Sequence, residues 1–135
     1  MVVWNEQYAT GSRFIDQQHQ VLIDNINHLE GMLTNTNLTR DDFGFLIHLV
    51  DFLEFYADSH FKYEEQCMKR YRCPAHAQNK LAHAQFMVFF RHFKQRCEAE
   101  GFRLEIIREL HQKMNSWIHD HLLEVDTQLK PCIKG

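Results

Sequence analysis

His60 and Glu64 are the residues of this sequence whose types and spacing most directly suggest chemistry. They stand four positions apart in the stretch 60–65. On an α-helix this spacing puts both side chains on one face, about 6 Å apart along the axis at ~1.5 Å per residue. A neutral imidazole and a carboxylate in that arrangement can bind one metal ion or two adjacent ions. The same pair is also common on solvated helix faces, so the rest of the chain must decide.

The elements that would position this pair are four long helices. Apolar residues that recur every three or four positions predict helices at about residues 12–35, 40–71, 74–100 and 102–129. Thr39 is suited to cap the second helix and Pro74 to start the third, while Pro131 ends the fourth. Short connections force neighbouring helices to run antiparallel, which predicts an all-α, up-down-up-down four-helix bundle.

The N-terminal residues 1–14 contain aromatic side chains without a helical period. We predict that they form an extended arm that packs over the end of the bundle. The 135 residues are the size of one compact domain, so we expect a single domain over 1–135.

Each predicted helix contributes a possible metal ligand from its apolar stripe. These inward residues are His19, His60, Glu64, His83 and His121, with Asp126 following shortly after. One histidine on an apolar stripe is usually an ordinary core residue, but four on four helices are hard to explain separately. A buried carboxylate also costs several kcal/mol unless it is paired or coordinated. Imidazoles and carboxylates suit iron, manganese or zinc, and this many ligands fit two bridged ions better than one.

Composition narrows the class of protein further. The net charge is −3 with histidine neutral, and no basic run suggests binding to nucleic acid. No apolar run is long enough to span a membrane, and no signal peptide is visible, so we expect a cytoplasmic protein. The four cysteines form no Cys-x-x-Cys pair, and we expect reduced thiols.

These residues together resemble a bacterial hemerythrin domain. The matching segments occur in family order and at family spacings over nearly the whole chain: Trp4, the run Ile15-Asp16-Gln17-Gln18-His19, the run His60 to Met68, Pro74, the run His83-Ala84-Gln85-Phe86, and Trp117 with His121 and Asp126. The resemblance implies an oxo- or hydroxo-bridged pair of iron ions that binds O₂ reversibly. It also implies that Glu64 and Asp126 bridge the irons, with His19 and His60 on the iron that keeps an open position.

Asn79 is the one departure from the family pattern. The family has a histidine here, which would share the second iron with His83 and His121. The amide oxygen of Asn79 could bind that iron, water could fill the place, or His76 could substitute if the helix start shifts. We favour Asn79 or water, because His76 lies roughly 4.5 Å away along the axis at ~1.5 Å per residue. We therefore hypothesise that the two metal positions differ, with the iron next to Asn79 held less firmly.

Two further predictions concern the surroundings of the site. His121 and Asp126 are five positions apart, about 140° around an ideal helix, so we predict a π-bulge between Trp117 and Gln128. We also expect a dry, apolar wall beside the irons. Its candidate residues are Ile23, Trp117, Ile118 and Leu122.

Three classes of function remain open from the sequence. The first is an oxygen- or redox-responsive sensor domain for O₂ or another small diatomic ligand, with a fused signalling output after Gly135. The second is a free-standing O₂ carrier or store. The third is a di-iron oxidase or peroxidase. The sequence supports this class least, because it has no Glu-x-x-His pair. A purely structural bundle would not explain inward histidines on all four helices. We therefore expect a binding protein and not an enzyme.

Overall fold

Four long α-helices form the body of the protein, as the apolar stripes predict. The computed structural model describes residues 1–34, 37–124 and 128–134, and within these ranges there is no β-strand. The long helices are α1 Arg13–Leu33, α2 Arg40–Arg70, α3 His76–Glu100 and α4 Leu104–Glu124. A short helix, α5, spans Leu129–Lys134, and a single 3₁₀ turn spans Glu6–Tyr8. No helix among the described residues has the length and apolar character needed to cross a membrane.

Contacts between opposite ends of neighbouring helices establish the up-down-up-down order. Lys94, late in α3, forms an ion pair of 2.8 Å with Asp51, early in α2. Arg108, early in α4, donates a hydrogen bond of 3.3 Å to the carbonyl of Leu33 at the end of α1. Each long helix packs against its two neighbours in a closed ring. The predicted all-α four-helix bundle is therefore confirmed.

Local signals explain where α2 begins and ends. Thr39 accepts a hydrogen bond from the backbone N–H of Asp42, whose carboxylate accepts one from the N–H of Thr39, so the predicted capping box is present. At the other end Arg72 takes a left-handed conformation with φ 52°. Hydrogen bonds from Arg72 N–H to Lys69 and from Cys73 N–H to Met68 complete a Schellman motif. This motif turns the chain sharply toward α3.

The N-terminal arm lies along the bundle, so the prediction that it packs over the end is wrong. Asn27 donates a hydrogen bond of 2.8 Å to the carbonyl of Val2. The amino group of Met1 lies 3.8 Å from the carboxylate of Glu30, near the end of α1. Further along the arm, Thr10 donates through its backbone N–H and its hydroxyl to Asp16 at the start of α1. The arm therefore runs antiparallel to α1 over most of its length.

The C-terminal segment differs from the prediction in two ways. Pro131 does not end a helix but lies in the first turn of α5, where its missing N–H has no intrahelical partner to lose. Cys132 in α5 forms a disulfide with Cys73, so the expectation of reduced thiols is wrong for this pair. Cys67 and Cys97 are free cysteines. The disulfide ties α5 to the α2–α3 turn beside a small apolar cluster that includes Ile15, Met68 and Leu129.

Candidate metal centre

Glu64 lies at the centre of a buried cluster to which three helices contribute. Its side chain is completely buried in α2. His19 of α1 and His60 of α2 place their Nε2 atoms 2.9 Å and 3.1 Å from Glu64 Oε2. His83 of α3 places its Nε2 atom 3.4 Å from the other oxygen, Oε1. The two carboxylate oxygens therefore face different sets of imidazoles.

The fourth helix completes the cluster through His121. Its Nε2 atom lies 3.1 Å from Nε2 of His83, so both imidazoles aim at the same point. Among the residues that the structure describes there are thus two buried triads, one of His19, His60 and Glu64, the other of Glu64, His83 and His121. Within each triad one potential ligand atom per residue lies within 4.8 Å of the others. Glu64 belongs to both.

The charge on Glu64 is stabilised by its neighbours. Burial by itself raises the pKa of this carboxyl, but hydrogen bonds from His19, His60 and His83 hold the pKa well below its usual range. The carboxylate is therefore ionised, and the Nε2 atoms that face it must carry protons. A cation held between these atoms would take the place of those protons.

Polar groups on the outer side of the cluster orient two of the imidazoles. His60 Nδ1 donates to Gln18 Oε1 at 2.7 Å, and His83 Nδ1 donates to Glu65 Oε2 at 3.2 Å. Because each Nδ1 keeps its proton in this hydrogen bond, a cation that displaces the Nε2 proton would meet an Nε2 lone pair held in a fixed direction. The sequence pattern predicts no role for Gln18 or Glu65. The sequence indicates them only by position, since Gln18 directly precedes His19 and Glu65 directly follows Glu64.

Aromatic rings hold the second triad in place. Phe61 stacks on His83 with ring centroids 4.0 Å apart and planes 9° apart. Trp117 stacks on His121 with a centroid distance of 4.2 Å and planes 16° apart. These stacks restrict the rotation of both imidazoles, so the ring nitrogens are positioned before any ligand arrives.

A small apolar cavity lies beside these aromatic rings. Trp117 and Ile118, two of the four residues predicted to form an apolar wall, line this cavity, whose volume is about 10 Å³. Ile23 and Leu122 are buried but do not line this cavity, and the apolar wall of these four residues stays a prediction. The other lining residues are Leu22, Ile26, Leu53, Ala57, Phe61, Phe86 and Met114. The cavity is narrow and has almost no polar surface.

Asn79 lies inside the cluster, in α3, and is completely buried. Its Nδ2 atom donates to Glu64 Oε1 at 2.5 Å and to the sulfur of Met68 at 3.0 Å. Its Oδ1 atom is buried without a hydrogen-bond partner. Such an unused acceptor is uncommon in a protein interior and is available to a cation.

Two other predicted site residues have different outcomes. His76 is half-buried and lines a surface cleft with Lys62, Glu65 and Lys80, so the structure does not bring it to either triad. Asp126 lies outside the described residues, and so does part of the segment in which we predicted a π-bulge. The described part of that segment, up to Glu124, is α-helical.

The residues of the two triads fit a pair of divalent cations. Each triad offers two imidazole nitrogens and one carboxylate oxygen, with Glu64 shared between them. Nitrogen and oxygen ligands of this kind suit iron, manganese or zinc. The amide of Asn79, whose Oδ1 atom has no hydrogen-bond partner, lies next to the second triad.

Comparisons with known proteins agree with this geometry. The family model of the hemerythrin HHE cation binding domain matches residues 10–133. A bacteriohemerythrin of Stenotrophomonas maltophilia (strain R551-3) is 29% identical over 135 residues, which is 100% of this chain and 83% of that protein. A bacteriohemerythrin of Clostridium acetobutylicum is 26% identical over 128 residues, covering 95% of this chain and 98% of that protein.

Proposed function

Since this chain belongs to the hemerythrin HHE cation-binding family, we propose that its buried cluster holds two iron ions, binds O₂ and acts as an oxygen- or redox-responsive sensor module. The observation that carries the proposal is the position of Glu64, whose two carboxylate oxygens face separate histidines. A buried carboxylate shared by two imidazole pairs is suited to bridge two cations. A single cation would leave one of the pairs unused.

The ligands divide between two positions. His19, His60 and Glu64 would hold one iron, and Glu64, His83 and His121 would hold the other. Asp126, which the family resemblance makes a second bridging carboxylate, belongs to the proposal without structural support. The chemistry that two ferrous ions supply when bound is the reversible uptake of O₂.

The protein supplies orientation and exclusion of water. Gln18 and Glu65 fix the ring orientation of His60 and His83 through their Nδ1 protons. The narrow cavity beside Trp117 and Ile118 is large enough for a very small molecule, and its apolar walls disfavour water and ions. A site of this kind favours binding of a diatomic gas over conversion of a larger substrate, so we propose that the domain is not an enzyme.

Asn79 favours the sensor role over storage. An amide is a weaker ligand than an imidazole, so an iron that depends on Asn79 would be held less firmly and its redox balance would differ. Such a site is a poor store of O₂ but can still change state when oxygen or redox conditions change. A signalling output beyond Gly135 is part of this proposal, and so is a cytoplasmic location, where the Cys73–Cys132 disulfide would be an exception to the reduced state usual for thiols. The alternative, an O₂ carrier, is favoured by the near full-length similarity to two bacteriohemerythrins.

Metal analysis combined with an absorption spectrum tests the proposal. The purified protein would be analysed for iron, reduced without air and then exposed to air. Two irons per chain with a reversible visible band support an O₂ site and favour the carrier. Irreversible oxidation, or one iron per chain, favours redox sensing over storage.

A pair of histidine variants provides the control for that experiment. His19→Gln removes a proposed ligand, whereas His28→Gln changes an exposed histidine on the same helix. We expect His19→Gln to lower the iron content and His28→Gln to leave it unchanged. Equal iron content in both variants, or no iron in the wild type after reconstitution, would refute the di-iron assignment.

A further inference from the structure

The two carboxylate oxygens of Glu64 face different side chains, and Asn79 contacts only one of them. His19 and His60 both face Oε2, whereas Asn79 and His83 face Oε1. A cation at the first triad can therefore use Oε2 without disturbing the hydrogen bond from Asn79. A cation at the second triad would compete with Asn79 for Oε1, the oxygen that faces His83.

The orientation of the Asn79 amide follows from its neighbours. An ionised carboxylate accepts hydrogen bonds, so the NH₂ end of the amide must face Glu64, and the sulfur of Met68 accepts its second proton. An amide nitrogen that carries two protons has no lone pair to offer a cation. The oxygen end, which could bind one, points away from Glu64 and has no hydrogen-bond partner.

We propose that Asn79 is a reversible amide switch that makes the two cation positions unequal. In the metal-free protein it holds Oε1 of Glu64 as a hydrogen-bond donor. When a cation enters the second triad, the amide turns over and presents its oxygen. This inference rests on the proposed function, because it assumes that the two triads bind cations.

The switch predicts sequential filling. The first cation binds to His19, His60 and Glu64 without moving Asn79. The second must break a hydrogen bond to a charged group, so we expect it to bind roughly 10- to 100-fold more weakly. The sulfur of Met68 opposes the same rotation, because it accepts the other amide proton.

Calorimetric titration of the metal-free protein with Co²⁺ in the absence of air would test the switch. For the wild type we expect two binding steps whose affinities differ by roughly 10- to 100-fold. Asn79→His should bring the two affinities within a few-fold of each other. Asn79→Leu should bind one Co²⁺ per chain, and Met68→Leu should strengthen the second step without affecting the first.

His76→Ala provides the matched control, because His76 lies in the first turn of the same helix but outside both triads. Its titration should equal that of the wild type. Thermal unfolding of each metal-free variant verifies its fold. If Asn79→Leu does not fold, the titrations of Asn79→His and Met68→Leu test the switch. Two equal affinities in the wild type, or two Co²⁺ bound by Asn79→Leu, would overturn the switch while leaving the two-metal site intact. Failure of the wild type to bind any Co²⁺ would instead refute the proposed function.

Discussion

Removal of the Cys73–Cys132 disulfide should destabilise the whole bundle and not only its C-terminal end. The two cysteines are 59 positions apart, so the bond closes a loop that contains α3 and α4. In the chain-entropy description a loop of this length restricts the unfolded state by about 4 kcal/mol. For a domain of this size that corresponds to a decrease in Tm of roughly 10–15 °C.

Urea unfolding of the metal-free Cys73→Ser/Cys132→Ser variant, followed by circular dichroism, measures this effect. We expect a lower midpoint than for the oxidised wild type, and the wild type should approach the variant after reduction by dithiothreitol. Cys67→Ser is the control, because Cys67 packs against the same apolar cluster but is a free thiol. Equal midpoints for oxidised and reduced wild type would contradict the structural role of the bond.

Three further predictions concern the α2–α3 turn, the metal centre and the response to pH. Arg72→Gly should stabilise the protein by about 1 kcal/mol in urea unfolding, because glycine adopts the left-handed conformation of this residue without steric cost; an unchanged or lower midpoint would contradict this reasoning. Glu64→Gln should abolish binding of both cations in Co²⁺ titration, whereas Glu65→Gln should weaken only the step that involves His83, about 10- to 100-fold; similar losses in both variants would argue against a shared bridge. Burial lowers the pKa of His111 in the folded protein. As the pH falls below about 6.5, the imidazole is therefore protonated in the unfolded state but still neutral in the folded state. The free energy of unfolding decreases over this range, until the pH reaches the lower pKa of the folded state. Urea unfolding at several pH values should therefore show a smaller acid loss for His111→Gln than for the wild type, and identical pH profiles would exclude this contribution.

Features that depend on local sequence were predictable. The capping box of Thr39 and Asp42 follows from residue types three positions apart, and the structure contains it. The inward position of His19 on α1 follows from the helical period alone, and its side chain is fully buried. These predictions succeed because one helix turn contains all the information they need.

Features that depend on how helices meet were not predictable in the same way. Nothing in the spacing of Cys73 and Cys132 indicates that their Cα atoms lie 5.5 Å apart. The aromatic residues of the arm showed that it packs on the bundle but not along which face. Leu22 lines the small apolar cavity and Ile23 does not, since neighbouring residues differ by ~100° around the helix and only packing decides which of them faces a given space.

The sharing of Glu64 between two triads also has a consequence for the order in which the two triads become complete during synthesis. The first triad needs only α1 and α2, which leave the ribosome first, and its residues span positions 19 to 64. The second triad needs α3 and α4 as well, because His83 and His121 come from those helices. A nascent chain that has released only α1 and α2 therefore contains every residue of the first triad, whereas the second triad is complete only after His121 has been made.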